Sequence, residues 1–244
     1  MMLLLYGIVF ASRGTAAAPL LPSLPSGVSG APVRLLVEGG LAAAISAVDA
    51  PHTIPDIGCV SAYAAVVEAL HARQTVLPLR YGCVARDEDQ VSTLLLAHQQ
   101  EYGDALRELE GCVEMGVRVL VPPEPEPLPL PEIVEKTGLS GQAYLGLRGA
   151  HYRREEERVR AWTQTAQRLR DTLGVHARRT TTGMGEGVDR RPASLCFLLD
   201  RTQLAAFRRE FRRLESATPT RLMLSGPWPP YSFVCDLSVG ATHD

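Results

Sequence analysis

Lysine is almost missing from this chain. Lys136 is the only one, so the other 24 of the 25 basic residues are arginines. Positive charge therefore comes as planar forks suited to bidentate contacts with carboxylates, rather than as point charges. The five cysteines, Cys59, Cys83, Cys112, Cys196 and Cys235, contain no C-x-x-C, and no histidine lies near one at zinc spacing. That excludes the common zinc modules. Their odd number and apolar neighbours, as in Leu195-Cys196-Phe197, read as buried reduced thiols of a cytosolic protein. Long apolar runs are lacking too. Nothing approaches the eighteen or so residues of a membrane span. No basic residue precedes Leu3–Phe10, as the charged start of a secretory leader would require. That run reads as a buried first strand.

Catalytic patterns are equally scarce. The six histidines, His52, His71, His98, His151, His176 and His243, show no H-E-x-x-H and no i,i+4 pairing, and there is no G-x-S-x-G elbow. Gly183-Met184-Gly185-Glu186-Gly187 is glycine-rich but lacks the Lys and Ser/Thr of a phosphate loop, so it reads as a hairpin turn. No enzymatic activity and no cofactor or metal is expected. Glu114, amid apolar residues on a predicted strand, is read as an outward-facing or paired structural carboxylate in preference to a functional one.

What is present is uneven. Residues 1–131 carry 7 Arg against 14 Asp+Glu, a balance of −7, and residues 132–244 carry 18 Lys+Arg against 13 Asp+Glu, a balance of +5. The halves are either separately solvated, or attract each other within one chain or head to tail between copies. Between them lies Pro122–Pro131, with six prolines in ten residues, a stiff extended connector. Arg153, Arg154, Arg158 and Arg160 form one basic face, and Arg208, Arg209, Arg212 and Arg213 form another. Interspersed Glu156, Glu210 and Glu215 favour ion-paired solvated faces over a nucleic-acid surface, with an acidic partner protein between these options.

Hydrophobic periodicity predicts the elements. Val33–Glu38, Gly39-Gly40 and Leu41–Val48 read as a hairpin, since Gly-Gly suits a tight turn. Tyr63–Arg73 reads as helix, and Val76–Tyr81 as strand with Pro78 marking an edge or bulge. Asp87–Leu109 carries one helical stripe that Gly103 can break. Cys112–Val121 alternates as a strand. Later come a helix over 153–173, a short strand over 178–182, a strand over 195–199, a helix over 203–216 and a strand over 222–224. The organisation expected is α+β in two domains: residues 1–121, ferredoxin-like; a proline-rich linker, 122–139; and residues 140–244, a ferredoxin-like variant.

The last strand leads into Gly226-Pro227-Trp228-Pro229-Pro230-Tyr231-Ser232-Phe233. Its prolines forbid helix, while its aromatics need cover. It is expected to be a rigid clasp for the second domain, with Trp162, Phe211, Trp228, Tyr231 and Phe233 as structural residues. Truncating Trp228 to alanine should then cost roughly 3–5 kcal/mol.

Four stretches together are similar to the gas vesicle protein F/L family. They are Val76–Gly82, Leu109–Val119, Ser140–Leu145 and Gly226–Phe233, in the family's order. The long loop over 11–32, the proline density of the linker and Tyr81 in place of a frequent Phe depart from the family pattern. The resemblance implies the two-domain α+β fold. It also implies a non-enzymatic accessory role in gas vesicle assembly: binding the small hydrophobic main shell protein alongside other vesicle accessory proteins, and limiting its aggregation during nucleation. The expected location is cytoplasmic and vesicle-associated, without nucleic acid or membrane partners and with room for self-association. The partner contact is expected at Leu77, Leu79, Arg80 and Tyr81, near the proline-marked edge. The alternative is an enzyme or small-ligand binder of tandem ferredoxin-like domains, with a pocket lined by Trp162, Trp228 and Tyr231.

Overall fold

The computed structural model describes residues 2–11, 24–49, 56–120, 141–184, 192–218 and 220–234. The predicted proline-rich linker and the glycine-rich turn beyond Met184 lie outside them, as does Cys235. The described chain folds into two antiparallel sheets with helices, an α+β architecture.

The first sheet begins with β1 (Met2–Phe10), β2 (Arg34–Glu38) and β3 (Leu41–Val48). The β2–β3 hairpin turns on Gly39 and Gly40, both at positive φ (57° and 79°), which is why the predicted Gly-Gly turn works. After α1 (Ile57–His71), β4 (Leu77–Pro78) and β5 (Val84–Ala85) both pair with the outer side of β1. The predicted strand over Val76–Tyr81 is therefore reduced to two ladder residues, with Pro78 on the edge.

Both faces of this sheet are buried. One packs Leu5, Ile8 and Ile45 beneath α2 (Glu88–Ala97) and α3 (Gln99–Glu108), in a core that includes Val91, Leu95 and Leu106. The other packs Tyr6, Val9 and Ala44 beneath Tyr63, Val67 and Leu70 of α1. This explains why β1 and β3 read as continuous apolar runs instead of alternating ones.

The helix predicted over Asp87–Leu109 breaks at His98, whose φ of −111° and ψ of 18° leave the helical region, and not at Gly103. Gly103 is buried within α3, where a Cβ would lie 4.0 Å from the Phe10 ring. A Cβ would make only ordinary contact there, and the helix runs on through the glycine. Helix α1 also starts six residues before the predicted position, because Asp56 caps it by accepting from the N–H groups of Gly58 and Cys59.

The second sheet is ordered β7 (Arg179–Met184), β8 (Pro192–Asp200), β6 (Cys112–Leu120) and β9 (Arg221–Trp228). Here the expected division at residue 121 does not match the strand pairing. Strand β6 lies between β8 and β9, not in the first sheet. The physical reason is its alternation. Val113, Met115, Val117 and Val119 form one apolar face that needs a helical layer, and both faces of the first sheet are already covered. That layer is α4 (Gly141–Leu173) and α5 (Leu204–Ala217). Ala166, Leu169, Leu173, Phe207, Phe211 and Leu214 close the core, with Trp162 packed against it. Phe197 and Phe207 meet edge to face at 5.2 Å at its centre.

Candidate functional site

The run 226–233 lies where the two sheets meet, and it begins inside β9. Gly226 has φ +103°, and a Cβ there would stand 2.6 Å from the Glu114 carbonyl oxygen, so only glycine fits. The β6–β9 register shifts at this point, between Glu114 and Gly116, and the Gly226–Pro227 peptide is cis. Past Pro229 and Pro230, both buried, Tyr231–Phe233 makes a single 3-10 turn.

Glu114 anchors this turn. It is 6% exposed and accepts from the Ser232 N–H at 2.8 Å and the Ser232 hydroxyl at 2.7 Å. The hydroxyl oxygen also lies 3.3 Å from Cys196 Sγ. Burial pushes the Glu114 carboxyl above its usual range, against the opposing effect of the Ser232 hydrogen bonds. The paired, structural reading of Glu114 fits this geometry.

From the anchored turn the aromatics reach both faces of the first sheet. Tyr231 packs against the core under α1, and Phe233 packs against the core under α2 and α3. Arg179 Cζ sits 5.6 Å from the centre of the Phe233 ring, and Arg179 also bonds Glu108 at 2.8 Å. Arg178 grips Asp200 with two nitrogens and donates to the Glu108 carbonyl. Arg201 donates to the His71 carbonyl at 2.9 Å. Of these contacts only Arg179–Glu108 joins opposite charges of the two halves; Arg178 and Arg201 cross the seam to backbone carbonyls. His71 is buried beside this seam with neither ring nitrogen hydrogen-bonded, and burial, reinforced by Arg201, lowers its pKa to about 4.

Two groups of expected site residues change role. Leu77 is 0% and Leu79 4% exposed, so both are core side chains of the first sheet and offer no partner surface. Their strand is two-sided, so apolar residues there point inward on either face. Arg80 is exposed. Tyr81 is half-buried, its ring edge-on to Tyr63 at 5.3 Å. Trp228 was expected to be buried but is 43% exposed. The shift at Gly226 leaves it on the sheet edge opposite Glu114, whose carboxylate is already taken by Ser232.

Trp162, Trp228 and Tyr231 do not share one pocket: they belong to the second core, the β9 edge and the first unit's α1-side core respectively. Among the described residues, no group of three or more His, Cys, Asp or Glu is placed to hold a metal. No described helix is long and apolar enough to cross a membrane.

Like β2 and β7, β9 is an edge among the described strands. Among them it pairs only with β6, and it exposes Met223 as well as Trp228. Edge position was not legible in the sequence, although Pro227 inside the strand is a signal for it.

The family model described as gas vesicle synthesis protein GvpL/GvpF matches residues 2–235. The chain belongs to the GvpL/GvpF family. It is 32% identical over 227 residues to gas vesicle protein F of Streptomyces sp. (strain CB03234), covering 87% of this chain and 94% of that protein. It is 30% identical over 238 residues to gas vesicle protein L of the same organism, covering 88% and 87%. In fold it is similar to the crystal structure of GvpF from Anabaena sp. PCC7120, with a TM-score of 0.70 at 17% identity, covering 96% of this chain and 95% of that one. The GvpF structure from Microcystis aeruginosa gives a TM-score of 0.69 at 17% identity, covering 96% and 98%. A role connected with gas vesicles follows from GvpL/GvpF membership.

Proposed function

We propose that this chain is an accessory protein of gas vesicle assembly that binds the hydrophobic main shell protein and limits its aggregation during nucleation. The observation that carries the reading is the β9 edge. A strand paired on one side can accept another extended segment through its main chain, and apolar side chains on it can cover apolar residues of that segment. Met223 and Trp228 are such side chains. Burial of Leu77 and Leu79 moves the proposed contact away from β4 to this strand.

Two further points belong to the proposal. The units are ferredoxin-like variants, with the boundary before Cys112 because β6 pairs within the second sheet. The protein works on the vesicle from the cytoplasm, together with other accessory proteins.

The test is retention of the main shell protein by the full chain. The Met223→Ser/Trp228→Ala double variant is expected to retain several-fold less, with its thermal midpoint nearly unchanged. Full retention by that variant, with loss on Arg80→Glu/Tyr81→Ser instead, would return the contact to the first unit.

A further inference from the structure

The two helical layers carry opposite charge. Across Glu88–Glu108, which spans α2 and α3, five carboxylates stand against one arginine, a balance of −4. Across α4 and α5 together, eleven arginines stand against six carboxylates, a balance of +5. The seam contacts consume only a small part of this. Glu108 is used by Arg178 and Arg179, both of which lie outside the α4–α5 layer.

The remaining charges sit in exposed stripes. On α3, Glu101 and Asp104 lie one turn apart on the same face as Glu108, and all three are exposed. Glu101 is bonded to His98 at 2.8 Å and Asp104 is paired with Arg107, exposed local contacts with which a partner's arginines would compete. On α5, Arg209 and Arg212 are exposed one turn apart. Arg212 directs its Nε to the Arg208 carbonyl, and among the described residues no carboxylate pairs with Arg209 or with Arg168 of α4. Each face also exposes apolar groups that a contact would bury. On the acidic side Leu96 is 52% exposed. Phe10, Leu41, Gln99 and Gly103 line a cavity of about 300 Å³ there. On the basic side Val175, at the end of α4, is 76% exposed.

We propose that copies of this chain associate head to tail, the basic α4–α5 layer of one docking on the acidic α2–α3 layer of the next. The occupant is a second copy because the chain carries both complementary faces, on different sheets. Two different surfaces make the contact heterologous, so association grows into rings or open chains instead of stopping at a symmetric pair. Because the charges are exposed, attraction is strong at low ionic strength and is screened as the Debye length falls below the spacing of the faces. Strand β9 belongs to neither helical layer, so this contact is separate from the one proposed for the shell protein.

The test is sedimentation velocity of the full chain across protein concentration and salt. At low salt, the weight-average mass is expected to rise at least twofold with concentration and to fall back to that of one chain near ~0.5 M salt. Two charge-reversed variants then identify the faces. Arg209→Glu/Arg212→Glu reverses the exposed stripe on α5 and takes the basic layer from +5 to +1, and Glu101→Arg/Asp104→Arg reverses the stripe on α3 and takes the acidic layer from −4 to 0. Each alone is expected to remain a single chain, and their equal mixture to recover association. The substituted side chains are exposed, and an unchanged thermal midpoint confirms folding. A wild-type mass that stays at one chain throughout the low-salt series overturns the proposal, and that arm needs no variant. So does association that survives either reversal, or a mixture that stays dissociated.

Discussion

The first sheet is buried on both faces and the second is helix-covered on one. Strands β1 and β3 run as continuous apolar segments because α1 lies on one side and α2–α3 on the other. Strand β6 alternates because its apolar side faces α4 and α5, while Glu114, Gly116 and Arg118 line the opposite side. That second side carries the Glu114–Ser232 contact and leads to the seam and the exposed edge of β9, whereas the first sheet keeps polar contacts, such as Tyr6 to Ser46, inside its core. Both sheets hold a packed core, and part of the second sheet's other face is buried as well, with Leu198 in the first sheet's core.

The largest effect expected from breaking this comparison comes from the covered face of the second sheet. Phe197 is fully buried against Phe207, so Phe197→Ala should cost about 3–5 kcal/mol, measured as a shift in urea midpoint. A loss below 1 kcal/mol would mean that the second sheet is not a packed core of its own.

The seam provides a smaller, pH-dependent effect. His71 has its folded pKa lowered from 6.5 to about 4, so the unfolded chain binds its proton more readily. The stability tied to neutral His71 is complete above pH 6.5 and is lost as pH falls toward 4. The shift corresponds to about 3 kcal/mol over that window. His71→Leu removes a buried imidazole without hydrogen-bond partners. It should leave neutral-pH stability nearly unchanged and flatten that part of the acid loss in urea titrations at pH 7.5 and 4.5. An unchanged acid slope would show that His71 is not held neutral at the seam.

The smallest effect is expected at the open edge. Trp228→Ala should lower stability by no more than about 1 kcal/mol, because the side chain is 43% exposed. A loss of 3 kcal/mol or more in thermal unfolding would restore the buried-clasp reading of this residue.

Much of this architecture was legible in local pattern. The Gly-Gly hairpin, the alternation of β6 and the stripes of α4 and α5 all follow from spacing and turn chemistry. Pairing was not. Nothing within Cys112–Leu120 says that its partners lie some eighty and a hundred residues downstream, because alternation specifies a buried face and not its neighbour. The aromatic run shows the same limit. Its need for cover was readable, but Tyr231 and Phe233 pack against the two cores of the first sheet and not against the second domain they were expected to clasp. The register shift at Gly226 decides which aromatic stays outside, and that depends on the Glu114 backbone across the sheet. Leu77 and Leu79 were misplaced for a related reason: a short apolar stretch beside a proline does not reveal that both faces of its sheet are covered.

The central claim is that binding belongs to the open edge of the second sheet. Amide hydrogen exchange of the full chain, with and without the main shell protein, tests it most directly. The account predicts new protection concentrated in residues 221–228, with the amides of β1 and the 77–81 stretch unchanged. Protection over 77–81 with β9 unaffected would contradict it.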